Sequence, residues 1–209
     1  MRKDYTHISI LLDSSGSMGG TWTETIQSLE SFISDQKKQN GELTLSLYTF
    51  NTRTKTIFDF QDAQYINKLD LPSPSGWTSL FDCVAISIDS LGRKLSKMNE
   101  WERPEKVLYL IFTDGEENSS KDHRLSDVRS RIDHQKSKYG WSFVLLGADF
   151  TANKLAEETH IGEGFVFNYD KARTMCAVNS LSNSVTKYRG QSGMSYDASL
   201  LDEAKKEYA

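Results

Sequence analysis

The chain has 209 residues, of which 37% are hydrophobic and 26% are charged, a size and composition that suit one globular domain and exclude a disordered chain. Its formal net charge of -4 argues against nucleic-acid binding by bulk electrostatics. No apolar run has the length of a membrane-spanning helix, and Met1–Thr6 is not followed by the apolar stretch of a signal peptide. We therefore expect a cytoplasmic protein that does not bind a membrane, with Cys83 and Cys176 as thiols in a reducing compartment.

Apolar runs of strand length recur along the chain. They are Ile8–Asp13, Leu43–Phe50, Thr54–Phe60, Lys106–Asp114, Trp141–Ala148 and Gly164–Tyr169. Several of these runs are continuous, which is typical of strands buried on both faces of a parallel sheet. The second and third runs lie too close together for a crossover helix. They therefore predict an antiparallel pair joined by a tight turn near Asn51–Arg53.

Helical patterns alternate with these strands. Apolar residues at helical spacing predict helices over Trp22–Ile33, Leu80–Leu95, Leu125–Ile132, Thr151–His160 and Lys171–Tyr188. The prediction is an α/β fold: a doubly wound, mostly parallel central sheet with one antiparallel edge strand and helices on both faces. We assign residues 1–189 to this domain and residues 190–209 to a C-terminal tail or short terminal helix.

Acidic and hydroxyl side chains follow the first and fourth predicted strands, at the sheet edge where doubly wound folds bind ligands. Asp13, Ser15 and Ser17 alternate after the first strand, Asp114 ends the fourth, and Thr78 precedes the second helix. Taken alone, the first stretch is more typical of a polar turn that caps a helix. Together, however, oxygen donors without soft ligands favour a hard divalent cation such as Mg²⁺. If neutral hydroxyls bind it directly, the cation stays electron-poor and attracts a partner's carboxylate.

Catalytic alternatives lack their diagnostic residues. The Gly-rich turn has neither the Gly-Lys-Ser/Thr ending of a P-loop nor the spacing of a dinucleotide-binding loop, and Ser17 is not in a nucleophile elbow. No histidine is placed to activate a serine, so we predict no catalytic residues. A metal-dependent hydrolase or phosphatase stays open as an alternative, with Glu116 and Glu117 as its only evident general bases.

Three motifs in register resemble the von Willebrand factor A domain, in which they form the metal-ion-dependent adhesion site. These are D-x-S-x-S at Asp13–Ser17, T-x-L-x-D at Thr78–Asp82 and T-D-G at Thr113–Gly115. The resemblance extends roughly from Thr6 to Tyr188. It implies that Ser15, Ser17 and Thr78 bind Mg²⁺ or Mn²⁺ directly, and that Asp13 and Asp114 bind it directly or through water. For Asp82 we expect a structural role, in which its carboxylate accepts hydrogen bonds from loop amides.

The resemblance also implies a function. We expect a stand-alone intracellular adaptor of the bacterial or phage type that binds a partner protein's Asp or Glu through the cation, without enzymatic activity. A ribonucleoprotein-associated module is a further alternative. This chain has Gly76-Trp77 where family members often have Gly-Gly before the threonine, which suggests that Trp77 either caps the site or contacts a partner. Glu116 and Glu117 are further candidates for contact, and Trp22 is equally a candidate for contact or for the core.

Overall fold

The computed structural model describes residues 1–114, 117–148, 159, 161, 166–191 and 196–208. The strands β1 to β6 are Arg2–Asp13, Glu42–Phe50, Thr54–Asp62, Pro104–Thr113, Ser142–Ala148 and Val166–Tyr169. The helices α1 to α5 are Trp22–Lys37, Leu80–Lys97, Leu125–Tyr139, Thr174–Gly190 and Ala198–Tyr208. Short 3-10 helices cover Gly16–Gly20, Ala63–Tyr65, Glu100–Glu102 and Lys171–Arg173. The helix predicted over Thr151–His160 lies almost wholly outside the described residues.

The strands form one six-stranded sheet in the order β3-β2-β1-β4-β5-β6. All neighbouring pairs are parallel except β2 and β3, which pair antiparallel across the turn at residues 51–53. The predicted fold class, including the antiparallel edge strand, is therefore confirmed. The strands β1 and β4 lie side by side at the centre, as the continuous apolar runs predict for strands covered on both faces.

The two faces of the sheet carry separate cores. On one face, Ile8, Ile10 and Leu12 of β1 pack in a cluster with residues of α1, α4 and α5. On the other face, Leu11 packs with residues of α2 and α3. Because successive side chains of a strand point to opposite faces, β1 contributes to both cores and is buried from Tyr5 to Asp13. Packing on both faces therefore fixes the position of its last residue, Asp13, at the carboxyl end of the strand.

The C-terminal residues contribute to the same domain core. Helix α5 packs against α4, and Leu201 and Ala204 are almost fully buried in the α1 face cluster. Helix α4 ends at Gly190, one residue after the predicted boundary, and the core continues beyond it into α5. Among the described residues, no helix is both long enough and apolar enough to cross a membrane.

Candidate metal centre

The candidate site lies where β1 and β4 end beside each other. In the sheet, β2 lies on one side of β1 and β4 lies on the other. The direction in which strands are added to the sheet therefore reverses between β1 and β4, which is where doubly wound folds bind ligands. Thr113, the last residue of β4, donates from Oγ1 to Oδ2 of Asp13 at 2.7 Å. Burial raises the pKa of the Asp13 carboxyl, although hydrogen bonds from Ser15 and Thr113 oppose that rise. A nearby cation would stabilise this buried carboxylate, because it compensates for lost hydration.

A row of hydrogen bonds connects Asp13 to Asp114 through two serines. The Ser15 amide donates to Asp13 Oδ1 at 2.7 Å, and the Ser15 and Ser17 hydroxyl oxygens are 3.1 Å apart. The Ser17 hydroxyl donates to Asp114 Oδ1 at 2.7 Å. The intervening Ser14 instead donates to the carbonyl of Phe50 at 2.9 Å. The structure thus brings together four of the five predicted metal ligands.

The loop that carries the fifth, Thr78, is joined to the serine loop by main-chain hydrogen bonds. Ser75 N donates to Ser14 O at 2.9 Å, and Gly16 N donates to Gly76 O at 3.1 Å. Gly76 has a φ of +79°, a conformation that glycine adopts without strain. Thr78 follows two residues later and is buried, so it lies at the same rim of the sheet as the other four residues.

Asn118 holds Thr78 from the opposite side. Its side-chain Oδ1 accepts from Thr78 N at 2.8 Å, and its own amide donates to Thr78 O at 3.0 Å. Sequence reasoning missed Asn118, because the two residues are 40 positions apart and no periodicity connects them. The only signal was its place shortly after the T-D-G motif.

Glu117 is committed to the loop itself. Its Oε1 accepts from the amides of Ser119 and Ser120 at 2.8 and 2.7 Å. Its Oε2 accepts from the Ser120 hydroxyl at 2.6 Å and from Phe81 N, in the first turn of α2, at 2.8 Å. The carboxylate of Glu117 thus satisfies four donors within the protein, and its contact with a partner stays a prediction. Glu116 lies outside the described residues.

Asp82 completes a reciprocal clamp between α2 and this loop. Its carboxylate accepts from three consecutive amides at 2.7–3.1 Å, those of Lys121, Asp122 and His123. Partial burial raises its pKa, but these amide hydrogen bonds outweigh that effect and lower the pKa overall. The predicted structural role of Asp82 is confirmed. Helix α2 and the loop after β4 are therefore fastened together immediately behind Thr78.

The two tryptophans expected at the rim occupy different environments. Trp77 is 69% exposed, beside Thr78. Trp22 is only 9% exposed and belongs to the core cluster on the α1 face of the sheet. Of the two roles left open for Trp22, its burial with Leu29 and Ile33 favours the core.

The donor set fits a hard divalent cation. In an octahedral Mg²⁺ site with bonds of about 2.1 Å, adjacent ligand oxygens lie about 3.0 Å apart. The separations of 3.1 Å between Ser15 and Ser17 and 2.7 Å between Ser17 and Asp114 are of this size. In the part of the chain that is described, no three His, Cys, Asp or Glu side chains group to hold a metal, so such a site depends on hydroxyl donors.

Comparisons with known proteins identify relatives of this fold. The family model described as von Willebrand factor type A domain matches residues 7–181. Proximal thread matrix protein 1 from the mussel byssus, with a zinc-occupied MIDAS motif, has a TM-score of 0.66 and 13% identity over 86% of this chain and 47% of that chain. This chain thus spans about half the length of that mussel protein.

Two bacterial structures match over nearly their whole length. The vWF domain of the type V pili tip protein Mfa5 from Porphyromonas gingivalis has a TM-score of 0.61 and 11% identity, covering 91% of this chain and 98% of that chain. BatB from Bacteroides thetaiotaomicron, a conserved hypothetical protein, has a TM-score of 0.61 and 14% identity, covering 89% and 100%. At these identities the likeness shows the fold alone. No curated protein matches the sequence.

Proposed function

The chain belongs to the von Willebrand factor type A domain family, and from this membership we propose that it is a non-enzymatic adaptor. It holds Mg²⁺ or Mn²⁺ and binds an Asp or Glu side chain of a partner protein. Domains of this family commonly mediate protein–protein interaction and metal-dependent binding. The observation that carries the proposal is the hydrogen-bonded row from Asp13 through Ser15 and Ser17 to Asp114, beside the buried Thr78.

The charges of the site suit capture of an anion. Asp13 and Asp114 balance a divalent charge, and the hydroxyls of Ser15, Ser17 and Thr78 coordinate without adding negative charge. A bound cation supplies an electrophilic position for an incoming carboxylate oxygen. Ser17 is exposed whereas Asp13 is fully buried, so the partner approaches from the Ser17 side. The Glu117 carboxylate is held within the loop after β4 by its four hydrogen bonds.

The absence of catalysis and the location are parts of the same proposal. A hydrolase would need a general base near the metal, and Glu117, one of the two candidates from the sequence, is occupied by four hydrogen bonds. A stand-alone adaptor in the cytoplasm accords with Cys83 and Cys176, which are both free thiols.

Calorimetric titration tests the metal site. We expect the wild type to bind Mg²⁺ or Mn²⁺ and both Asp13→Ala and Thr78→Ala to lose that binding, while circular dichroism shows the fold intact. Asp122→Ala, which removes an exposed carboxylate in the neighbouring loop, is the matched control and should bind normally. Zn²⁺ belongs in the same titrations, given the metal in the mussel protein. Unchanged Mg²⁺ affinity in both site variants would show that the site is wrongly assigned.

Capture of a partner and catalysis require separate assays. A tagged wild-type protein should retain its partner with Mg²⁺ and release it with EDTA, and Asp13→Ala should retain none in either condition. Incubation with Mn²⁺ and generic phosphoesters should give no turnover. Turnover that disappears in Asp13→Ala would overturn the adaptor proposal in favour of a hydrolase.

A further inference from the structure

The strongest unexplained surface feature beside the candidate metal centre is the indole of Trp77. It is 69% exposed, and among the described residues it has no hydrogen-bond or ring partner. Exposed tryptophans of this kind are enriched among the residues that dominate binding energy in protein interfaces. The next residue, Thr78, is a predicted metal ligand, and the carbonyl of the preceding Gly76 accepts from Gly16 N in the serine loop. The loop that carries the exposed indole therefore adjoins the candidate metal centre.

The backbone beneath Trp77 is held rigidly by its neighbours. The carbonyl of Ser75 accepts from Asn51 Nδ2 at 2.8 Å, and the carbonyl of Gly76 accepts from Gly16 N at 3.1 Å. On the other side of Trp77, the Thr78 amide donates to Asn118 at 2.8 Å. A large aromatic side chain on a backbone fixed in this way loses little conformational entropy on binding. The loop is therefore pre-organised to present Trp77 to a ligand.

The charge around Trp77 complements an acidic segment. The neighbouring turn carries Arg53, an exposed cation, and Asn51 joins this turn to the Trp77 loop through its hydrogen bonds. The carboxylates of Glu117 and Asp82, behind the rim, are already bound by loop amides. The loops that carry the cation site, the apolar indole and the guanidinium of Arg53 are thus joined by hydrogen bonds, a combination that favours an acidic and partly aromatic segment.

We propose that Trp77 selects partner segments in which the metal-binding Asp or Glu is directly followed by an aromatic side chain that packs on the indole. This inference rests on the proposed function, since the acidic residue must first reach a bound cation. It adds a specificity determinant that the metal ligands cannot supply, because they interact with the carboxylate alone. Arg53 adds affinity for further acidic residues in the segment.

Fluorescently labelled peptides test this selection with the full chain at saturating Mg²⁺. The probes are Gly-Asp-Phe-Gly, Gly-Asp-Gly-Gly and Gly-Asn-Phe-Gly, each with blocked ends, and the readout is fluorescence anisotropy. We expect the Asp-Phe peptide to bind about tenfold more tightly than the Asp-Gly peptide, as the loss of one aromatic contact at an interface implies. The Asn-Phe peptide should bind weakly and without dependence on Mg²⁺.

Three variants assign the effect. Trp77→Ala should abolish the preference for Asp-Phe while leaving the affinities for Mg²⁺ and for Asp-Gly unchanged, and Trp77→Phe should restore most of it. Trp101→Ala is the matched control, because Trp101 is 70% exposed but precedes β4 at the opposite end of the sheet. Equal affinities for the two Asp peptides, or a preference that survives in Trp77→Ala, overturn the inference alone. Asp-peptide binding that EDTA leaves unchanged contradicts the proposed function instead.

Discussion

Glu117 provides the sharpest test of how the site is held together, because its side chain was expected to face a partner. Glu117→Gln preserves the shape of the side chain and removes only its charge and one acceptor. In the wild type, Oε1 accepts from the amides of Ser119 and Ser120, and Oε2 accepts from the Ser120 hydroxyl and Phe81 N. In the variant, an NH₂ group replaces Oε2 if the first two bonds are kept.

The expected loss of stability follows from these four donors. The Ser120 hydroxyl can rotate and accept from the new NH₂ group, but the Phe81 amide can only donate and is left facing a donor. A half-buried amide without its partner costs about 1–3 kcal/mol, and loss of a carboxylate at the N-terminus of α2 costs about 0.3–1 kcal/mol. We expect unfolding to require about 2–3 kcal/mol less free energy, which lowers the melting temperature by about 4–12 °C for a domain of this size.

Urea denaturation followed by circular dichroism at pH 7 measures this difference. The control is Asp122→Asn in the same loop, an equal change of charge on an exposed carboxylate, for which we expect a change within about 0.5 kcal/mol. Mg²⁺ should still raise the melting temperature of Glu117→Gln, because Glu117 does not coordinate the metal. If Glu117→Gln is as stable as the wild type but fails to capture the partner, Glu117 is a contact residue and the clamp is unimportant.

Two further predictions concern the core. His7 is fully buried, and burial lowers its pKa to about 3; the unfolded chain, with a pKa near 6.5, therefore takes up a proton that the folded chain does not. The resulting stability is complete above pH 6.5 and is lost as the pH falls towards 3. In urea titrations, the free energy of unfolding of the wild type should therefore fall by about 2 kcal/mol more between pH 6 and 4.5 than that of His7→Phe. Equal decreases in the two proteins contradict this prediction. Leu201→Ala, in α5, should lower the free energy of unfolding by about 2–5 kcal/mol in the same measurement. Lys206→Ala, which changes an exposed residue of α5, is the control and should leave it almost unchanged. Equally small effects of the two substitutions would mean that α5 is not part of the core.

The expected fold and the observed one differ mainly where distant residues interact. The sequence predicted five of the six strands to within two residues at each end, whereas β1 begins at Arg2, six residues before its predicted start. It did not predict the irregular pairing of β3 with β2 near Asp59 and Phe60. There Phe60 has a φ of +56° and its amide donates to the Ser46 hydroxyl at 2.9 Å, while its ring stacks on His7 at 4.0 Å. Nothing in the run "TKTIFDF" indicates this bulge, because it depends on side chains from two other strands.

The order of apolar and polar residues along the chain was enough to determine the α/β class and to place Asp13, Ser15, Ser17 and Asp114 directly after buried strands. These features are local: strand and helix periods, and residues that directly follow a strand, are set by neighbours in the chain. Tertiary structure alone decided that Glu117 fastens α2 to the loop after β4, which loop amides Asp82 binds, that Asn118 holds Thr78, and that Trp22 is buried. Each of these outcomes depends on which distant groups satisfy a donor, an acceptor or an apolar surface, and no pattern within a single segment records that choice.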